Sequence, residues 1–257
     1  MKRFLAACLL FFMFSSCAPL TVCGTSIGTN KCTHILFIGN SYLFVNDLPA
    51  AFTKLADSGG HRVDAQMVAT GGWTLAQHAA SPDTLNRIDS SKWDYVVLQE
   101  QSEIPSLRGN RITQMYPAAR TLVKKIRDGG AMPIFFSTWA HNNGFPEYGL
   151  NYEGMQYEID TAYLGIAHEL NVPVSPVGEA WFTTGRQHPE ISLWQADGSH
   201  PTEAGTYLAA AVFYAVFFRT SPAGLNFTSS LPGETAKTLQ TMAANTVLNN
   251  PAQWNLP

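Results

Sequence analysis

Charged side chains are scarce in this sequence. Asp, Glu, Lys and Arg make up 14% of its 257 residues, and the formal net charge is −3 at pH 7. Proteins that bind nucleic acid or an anionic membrane surface concentrate Lys and Arg in order to neutralise phosphate groups. We therefore expect no nucleic-acid partner, and membrane association only through a covalently attached lipid.

Patterns typical of metal and phosphate sites are also missing. The four cysteines, at positions 8, 17, 23 and 32, form no CxxC pair, and no Cys/His array has the spacing of metal ligands. A glycine loop of the kind that cradles phosphates is absent as well. We therefore expect neither a metal nor a cofactor, and a phosphodiesterase is disfavoured.

The amino terminus has the pattern of a secretory signal. Lys2 and Arg3 precede an apolar run from Phe4 to Phe14, which is too short to span a bilayer. Residues 1–17 are therefore predicted to be a signal peptide, which directs the protein to the periplasm or cell surface. Ser-Ser-Cys at its end resembles a lipobox in which Cys17 is lipidated, although Phe14 replaces the usual leucine. Simple cleavage nearby is the alternative.

Export determines how the remaining cysteines are interpreted. Residues 18–31 form a leader between the signal and the domain, and they contain Cys23. In an oxidising compartment Cys23 and Cys32 can form a disulfide that joins this leader to the first strand. Two free thiols in a flexible leader are an equally weighted alternative. Residues 32–257 have the length of one α/β domain with a full core.

Apolar runs of strand length alternate with segments of helical pattern along this domain. Such alternation predicts a three-layer α/β/α sandwich around a five-stranded, parallel, flavodoxin-like sheet. Prolines in the fifth run favour an edge position for that strand. The predicted strands begin at Thr33 and end at Gly39, then cover 62–69, 93–99, 131–137 and 172–177; the predicted helices cover 47–57, 116–128, 154–170, 204–218 and 232–249.

Two short polar blocks at opposite ends of the domain carry the chemistry. The first strand breaks at Gly39-Asn40-Ser41, which places the Ser41 hydroxyl at the carboxyl end of the sheet, where ligands bind in open α/β folds. Asp197 and His200 lie three residues apart, just before a helix with Pro201 in its first turn. A carboxylate, an imidazole and a serine are the parts of an activated serine nucleophile.

These blocks, Gly39-Asn40-Ser41-Tyr42 and Asp197-Gly198-Ser199-His200, resemble those of the SGNH/GDSL hydrolases over residues 32–219. Asn40 stands where that family usually has aspartate. The resemblance implies the SGNH hydrolase fold, with Ser41 as nucleophile, His200 as general base and Asp197 as its partner. It also implies the hydrolysis of carboxylic esters through an acyl-enzyme, without a cofactor.

The remaining donors to the oxyanion are expected just after the second and third strands. Gly72 follows the second strand, and Gly72-Trp73-Thr74 resembles the family's second block. The main-chain N–H of Gly72 is therefore expected to bind the oxyanion together with that of Ser41, with Gly71 as the alternative. The family's asparagine after the third strand is missing. Gln-Glu-Gln-Ser at 99–102 resembles the Gln-Gly-Glu-Ser of sialate O-acetylesterase-like members, so Gln99 is assigned the amide role, with Gln101 second.

The substrate is less well defined by the sequence. Trp73 and Trp139 follow predicted strands and are candidates to stack on a sugar ring, although they can equally close the core or accept an acyl chain. Sugar stacking by these side chains, together with the predicted export, favours removal of small acyl groups from a glycan. A lipase or thioesterase that acts on longer acyl chains is the alternative. An exported, non-catalytic ligand-binding lipoprotein on the same fold is the alternative of another class. His141, in the loop after the fourth strand, is expected to have no catalytic role.

Overall fold

The structure is a computed structural model that describes Cys23 and residues 31–256. The part of the chain so described contains a five-stranded sheet in which all neighbouring strands are parallel. The strands are β1 (Thr33–Gly39), β2 (Val63–Ala69), β3 (Tyr95–Leu98), β4 (Met132–Ser137) and β5 (Val174–Pro176). Their order across the sheet is β2-β1-β3-β4-β5. The predicted α/β/α class is confirmed, and β5 is an edge strand as its prolines indicated.

Helices cover both faces of this sheet. They are α1 (Ser41–Phe44), α2 (Leu48–Ser58), α3 (Leu75–Ala80), α4 (Pro82–Asp89), α5 (Arg108–Asn110), α6 (Tyr116–Asp128), α7 (Tyr152–Leu170), α8 (Val177–Gln187), α9 (Glu203–Phe218) and α10 (Gly233–Leu248). A π-helical turn, Arg111–Met115, joins α5 to α6.

Two hydrophobic cores lie on opposite faces of the sheet. Side chains alternate along a strand, so Ile35 and Phe37 of β1 enter one core, while Leu36 and Ile38 enter the other. The first core contains apolar side chains of α2, α8, α9 and α10, and the second contains those of α3, α6 and α7. A central strand that is buried on both faces cannot move without disturbing both cores, which makes β1 a rigid support for Ser41.

Helix α8 is the largest departure from the predicted elements. No helix is among the predicted elements between 177 and 187, a stretch that contains two glycines and two adjacent threonines of low helix propensity. The chain is helical from Val177 to Gln187, and Ala180 and Trp181 are fully buried in the first core. Burial of these apolar side chains outweighs the weak local propensity.

One of the predictions for the amino terminus concerns residues that the structure describes. Cys23 and Cys32 form a disulfide, with their Cα atoms 5.8 Å apart, which favours the first of the two alternatives for these cysteines. The predicted signal peptide at 1–17, the lipidation site Cys17 and most of the leader at 18–31 lie outside the described residues. Within residues 31–256, no helix has both the length and the apolar character needed to cross a membrane.

Candidate active site

Ser41 lies in the turn that follows β1, at the carboxyl edge of the sheet. The Oδ1 atom of Asn40 accepts the Tyr42 N–H at 3.2 Å and so caps helix α1, which begins at Ser41. The Nδ2 atom of Asn40 donates to the Trp73 carbonyl at 3.1 Å. Asn40 therefore fixes the Ser41 turn and also ties the loop after β2 to it.

Asp197 and His200 lie in a tight turn before α9. The Oδ1 atom of Asp197 accepts the main-chain N–H groups of Ser199 and His200, each at 2.9 Å. Gly198 has a φ of +70°, a left-handed conformation that glycine adopts without steric cost. The turn therefore holds the carboxylate and the imidazole in a fixed relation.

The structure brings Ser41, Asp197 and His200 together. His200 Nδ1 lies 2.6 Å from Asp197 Oδ2, and His200 Nε2 lies 2.9 Å from Ser41 Oγ. Both are hydrogen-bond distances. With Nδ1–H donating to the carboxylate, Nε2 is the acceptor for the Ser41 hydroxyl. The serine is thus placed to lose its proton to the imidazole.

Asp197 is ionised at neutral pH. Its pKa is lowered to about 2, first by the hydrogen bond from the Ser199 N–H and then by the bonds from the side chain and main chain of His200, against an opposing effect of desolvation. An ionised carboxylate at this position stabilises a positive charge on His200. The side chain is about half exposed, so solvent weakens this attraction.

Aromatic side chains pack against the imidazole of His200. The Tyr42 ring packs edge-on against His200, with ring centroids 5.9 Å apart, and stacks on Trp139 at 4.4 Å. Trp139 in turn stacks on Trp181 and donates through Nε1 to the Ser199 carbonyl. Trp139 is 0% exposed, so its predicted role in binding substrate is wrong. It is a core residue that positions the Asp197–His200 turn.

Trp73 lies in a different setting. Its side chain is half-buried, beside the Ser41 turn, and its ring packs edge-on against His78 at 5.1 Å between centroids. Part of the indole therefore faces solvent at the carboxyl edge of the sheet. Trp73 remains available as a substrate contact.

Gly72 lies in the loop after β2, in a turn closed by a hydrogen bond from the Trp73 N–H to the Thr70 carbonyl. Its φ of +72° is left-handed. Within residues 31–256, neither the Gly72 N–H nor the Ser41 N–H donates to a protein acceptor. Two main-chain donors at the carboxyl edge therefore remain free to bind an external oxygen.

Gln99 is placed differently from its predicted role. It is 0% exposed; its Oε1 atom accepts the Asn40 N–H at 2.9 Å, and its Nε2 atom donates to the Glu100 carbonyl. The side chain lies directly against Gly39, where a Cβ atom would collide with it. The assignment of Gln99 as an oxyanion donor is therefore wrong, because its amide is enclosed beneath the turn it supports.

Gln101 lies in the same loop and is half-buried. Its Oε1 atom accepts the main-chain N–H groups of Glu103 and Ile104, at 2.8 and 3.1 Å. Its Nε2 atom makes only a long contact with Ser102 Oγ, at 3.4 Å. The carbonyl end of the side chain is thus fixed, and the amide N–H groups remain available.

Glu100 is a site residue that sequence reasoning missed. Its Oε1 atom accepts the Leu75 N–H at 3.0 Å and the Gln101 N–H at 2.7 Å, so one carboxyl joins the loops after β2 and β3. Desolvation raises its pKa to about 7. A carboxyl that directly follows a buried strand was the available signal.

Ser102 and His141 form a second serine–histidine contact at the same edge. His141 follows β4 in the chain, and its Nε2 atom lies 3.1 Å from Ser102 Oγ. The structure therefore places His141 beside the candidate site rather than in a solvated loop away from it. Within the described residues, no group of three Asp, Glu, His or Cys side chains has the arrangement of a metal site.

Comparison with known proteins gives structural neighbours only. No family model and no curated protein matches the chain. A DUF4886 family protein from Bacteroides uniformis superposes with a TM-score of 0.72 at 19% identity, over 85% of this chain and 95% of that one. A candidate SGNH hydrolase from Slackia heliotrinireducens superposes with a TM-score of 0.60 at 26% identity, over 72% and 98%.

A third neighbour has a named substrate. It is an acetyl-xylooligosaccharide esterase from Geobacillus, with a TM-score of 0.54 at 16% identity, over 70% of this chain and 92% of that one. At such identities the likeness concerns the fold. The resemblance indicated by the two sequence blocks is confirmed at that level, and the chain has the SGNH/GDSL hydrolase fold.

Proposed function

We propose that the protein is a serine hydrolase that cleaves carboxylic esters. The observation that carries this proposal is the continuous line of hydrogen bonds from Asp197 through His200 to Ser41. Ser41 Oγ attacks the ester carbonyl carbon as His200 Nε2 accepts its proton. The resulting imidazolium is stabilised by Asp197, and it then protonates the departing alcohol oxygen. A covalent acyl-serine remains.

Water completes the cycle. His200, neutral again, takes a proton from water as the water oxygen attacks the acyl carbonyl. The bond between Ser41 Oγ and the acyl carbon then breaks, His200 returns its proton to Ser41 Oγ, and the acid is released. During both steps the carbonyl oxygen becomes an oxyanion. The free N–H groups of Ser41 and Gly72 supply two donors for it, and we assign the third to the Gln101 amide in place of Gln99. Each such donor typically contributes a factor of about 10² to 10³ in rate.

A small acyl group on a glycan is the substrate we favour. A cavity of about 620 Å³ is lined by Asp197 and by residues that include Asn142, Asn143, Trp194 and Gln195. Amides and an indole face are suited to neutral sugars, which offer hydroxyl groups and apolar ring faces. A structural neighbour of this chain acts on acetylated xylooligosaccharides, which supports the same class.

Export is part of the proposal. A disulfide between Cys23 and Cys32 is expected in an oxidising compartment. It supports a periplasmic or cell-surface enzyme, in which lipidation of Cys17 would attach the domain to a membrane. Two measurements on the wild type and on Cys17→Ser would test the anchor. One is the change in gel mobility after alkaline treatment, and the other is metabolic labelling with a palmitate analogue.

Hydrolysis of p-nitrophenyl acetate and p-nitrophenyl octanoate tests the activity. We expect the wild type to cleave the acetate faster, and the Ser41→Ala variant to lose the activity. Preference for octanoate would favour a lipase or thioesterase. Equal rates for wild type and variant would contradict the proposal and leave a binding protein on this fold.

A further inference from the structure

Ser102 and His141 form a polar pair that the mechanism above does not use. They come from the loops after β3 and β4, so the pair exists only because adjacent strands end at the same edge. The His141 Nε2 atom lies 3.1 Å from Ser102 Oγ. Within residues 31–256 the other ring nitrogen, Nδ1, has no hydrogen-bond partner. The imidazole is half-buried rather than enclosed in the core.

The pair is connected to the catalytic turn through Tyr42. The Tyr42 hydroxyl lies 2.7 Å from Ser199 Oγ. Burial raises the pKa of Tyr42, and the nearby side chains of Ser199 and Ser102 partly oppose this. The Tyr42 ring packs against His200. Ser102 and His141 therefore lie one side chain away from the general base, on the edge where substrate must approach Ser41.

Charges around the pair restrict what it can bind. Burial lowers the pKa of His141, while Glu103 and Asp197 raise it and His200 lowers it. His141 is thus neutral at neutral pH, and the carboxylates of Glu103 and Asp197 lie close enough to act on its pKa. An anionic group would be repelled here. A neutral imidazole and a hydroxyl each donate and accept hydrogen bonds, as do the hydroxyl groups of a polyol.

We propose that Ser102 and His141 bind the alcohol portion of the ester, and that this portion is uncharged and carries a free hydroxyl close to the ester oxygen. The inference rests on the proposed esterase function and specifies its substrate. His141 is then a residue that determines specificity, since the proton transfers belong to His200.

A pair of matched esters tests this assignment. Glycerol monoacetate and propyl acetate share the acyl group and differ in two hydroxyl groups. We expect wild-type kcat/KM to be higher for glycerol monoacetate. His141→Gln, His141→Ala and Ser102→Ala should each lower the ratio of the two kcat/KM values by about tenfold, as expected for loss of one or two hydrogen bonds. The control is His168→Gln, an exposed histidine on α7, which should not change the ratio.

The possible outcomes separate this inference from the proposed function. If the wild type cleaves both esters without preference, or if all three variants keep the wild-type ratio, the inference is wrong and the esterase function stands. A purely structural role for the pair would lower both kcat/KM values equally and also leave the ratio unchanged. Failure of the wild type to cleave either ester, or full activity in Ser41→Ala, would contradict the proposed function itself.

Discussion

The side-chain oxygen of Gln99 accepts a hydrogen bond from the main-chain N–H of Asn40 at 2.9 Å. This contact joins the end of β3 to the turn that presents Ser41. The glutamine is fully buried, and Gly39 provides the space for it. Gln99 thus acts on the serine through the backbone, as a positioning residue beneath the turn.

Replacing Gln99 should therefore mainly lower the free energy of unfolding. In Gln99→Ala the buried Asn40 N–H loses its acceptor, which typically costs about 1–3 kcal/mol, and a cavity adds to that loss. Urea unfolding of Gln99→Ala, with the exposed Gln187→Ala as control, measures it. An unchanged free energy of unfolding together with a 10²-fold fall in kcat, about the loss of one oxyanion donor, would instead place Gln99 at the oxyanion.

Replacing Gln101 should lower turnover and leave stability nearly unchanged, in contrast to Gln99. Gln101→Glu keeps the oxygen that accepts from Glu103 and Ile104, but it removes the amide donor and adds a negative charge beside the developing oxyanion. We expect kcat for p-nitrophenyl acetate to fall by about 10²- to 10³-fold or more, with little change in thermal stability. Wild-type turnover in this variant would remove Gln101 from the mechanism.

Gly72 has a matched control elsewhere in the chain. Gly72 and Gly130 both have left-handed φ values, +72° and +84°, and an added Cβ meets no atom at either position. Replacement by alanine should destabilise both variants by about 1–2 kcal/mol. Gly130 precedes β4 at the opposite edge of the sheet, so only Gly72→Ala should also lower kcat/KM. Equal activity in the two variants would contradict the role of the Gly72 N–H.

Glu100 should make stability fall as pH rises. Burial raises the pKa of its carboxyl from 4.5 to about 7, so the folded protein holds this proton more tightly than the unfolded chain does. The group is protonated in both states below 4.5 and ionised in both above 7. As pH rises between these values, ionisation of Glu100 lowers the free energy of unfolding, and the loss reaches about 3 kcal/mol above pH 7. Glu100→Gln should flatten the dependence of the unfolding free energy on pH across that window; an equally steep dependence in the variant would contradict this.

Local signals in the sequence predicted much of the fold and part of the site. A strand that ends at a glycine, followed by a serine, placed Ser41 at the carboxyl edge. The three-residue spacing of Asp197 and His200 anticipated a turn in which carboxylate and imidazole meet. Both depend on short stretches of chain, so no knowledge of distant contacts was needed.

Where the prediction failed, long-range packing decided the outcome. Gln99 and Gln101 lie two residues apart in the loop after β3, yet Gln99 is fully buried beneath the Ser41 turn and Gln101 is only half-buried. The contacts that enclose Gln99 come from the turn after β1, and sequence similarity does not reveal them. Trp139 follows a strand as Trp73 does. It is buried because Tyr42 and Trp181, far away in the sequence, enclose it.

The central claim is that Ser41 is a nucleophile activated by His200. Intact-mass analysis after treatment with a fluorophosphonate, which reacts with activated serines, tests it most directly. We predict one stoichiometric adduct on the wild type, mapped to Ser41, much slower labelling of His200→Ala and none of Ser41→Ala. Labelling of Ser41→Ala at the wild-type rate, or an adduct on a different residue such as Ser102, would contradict the account.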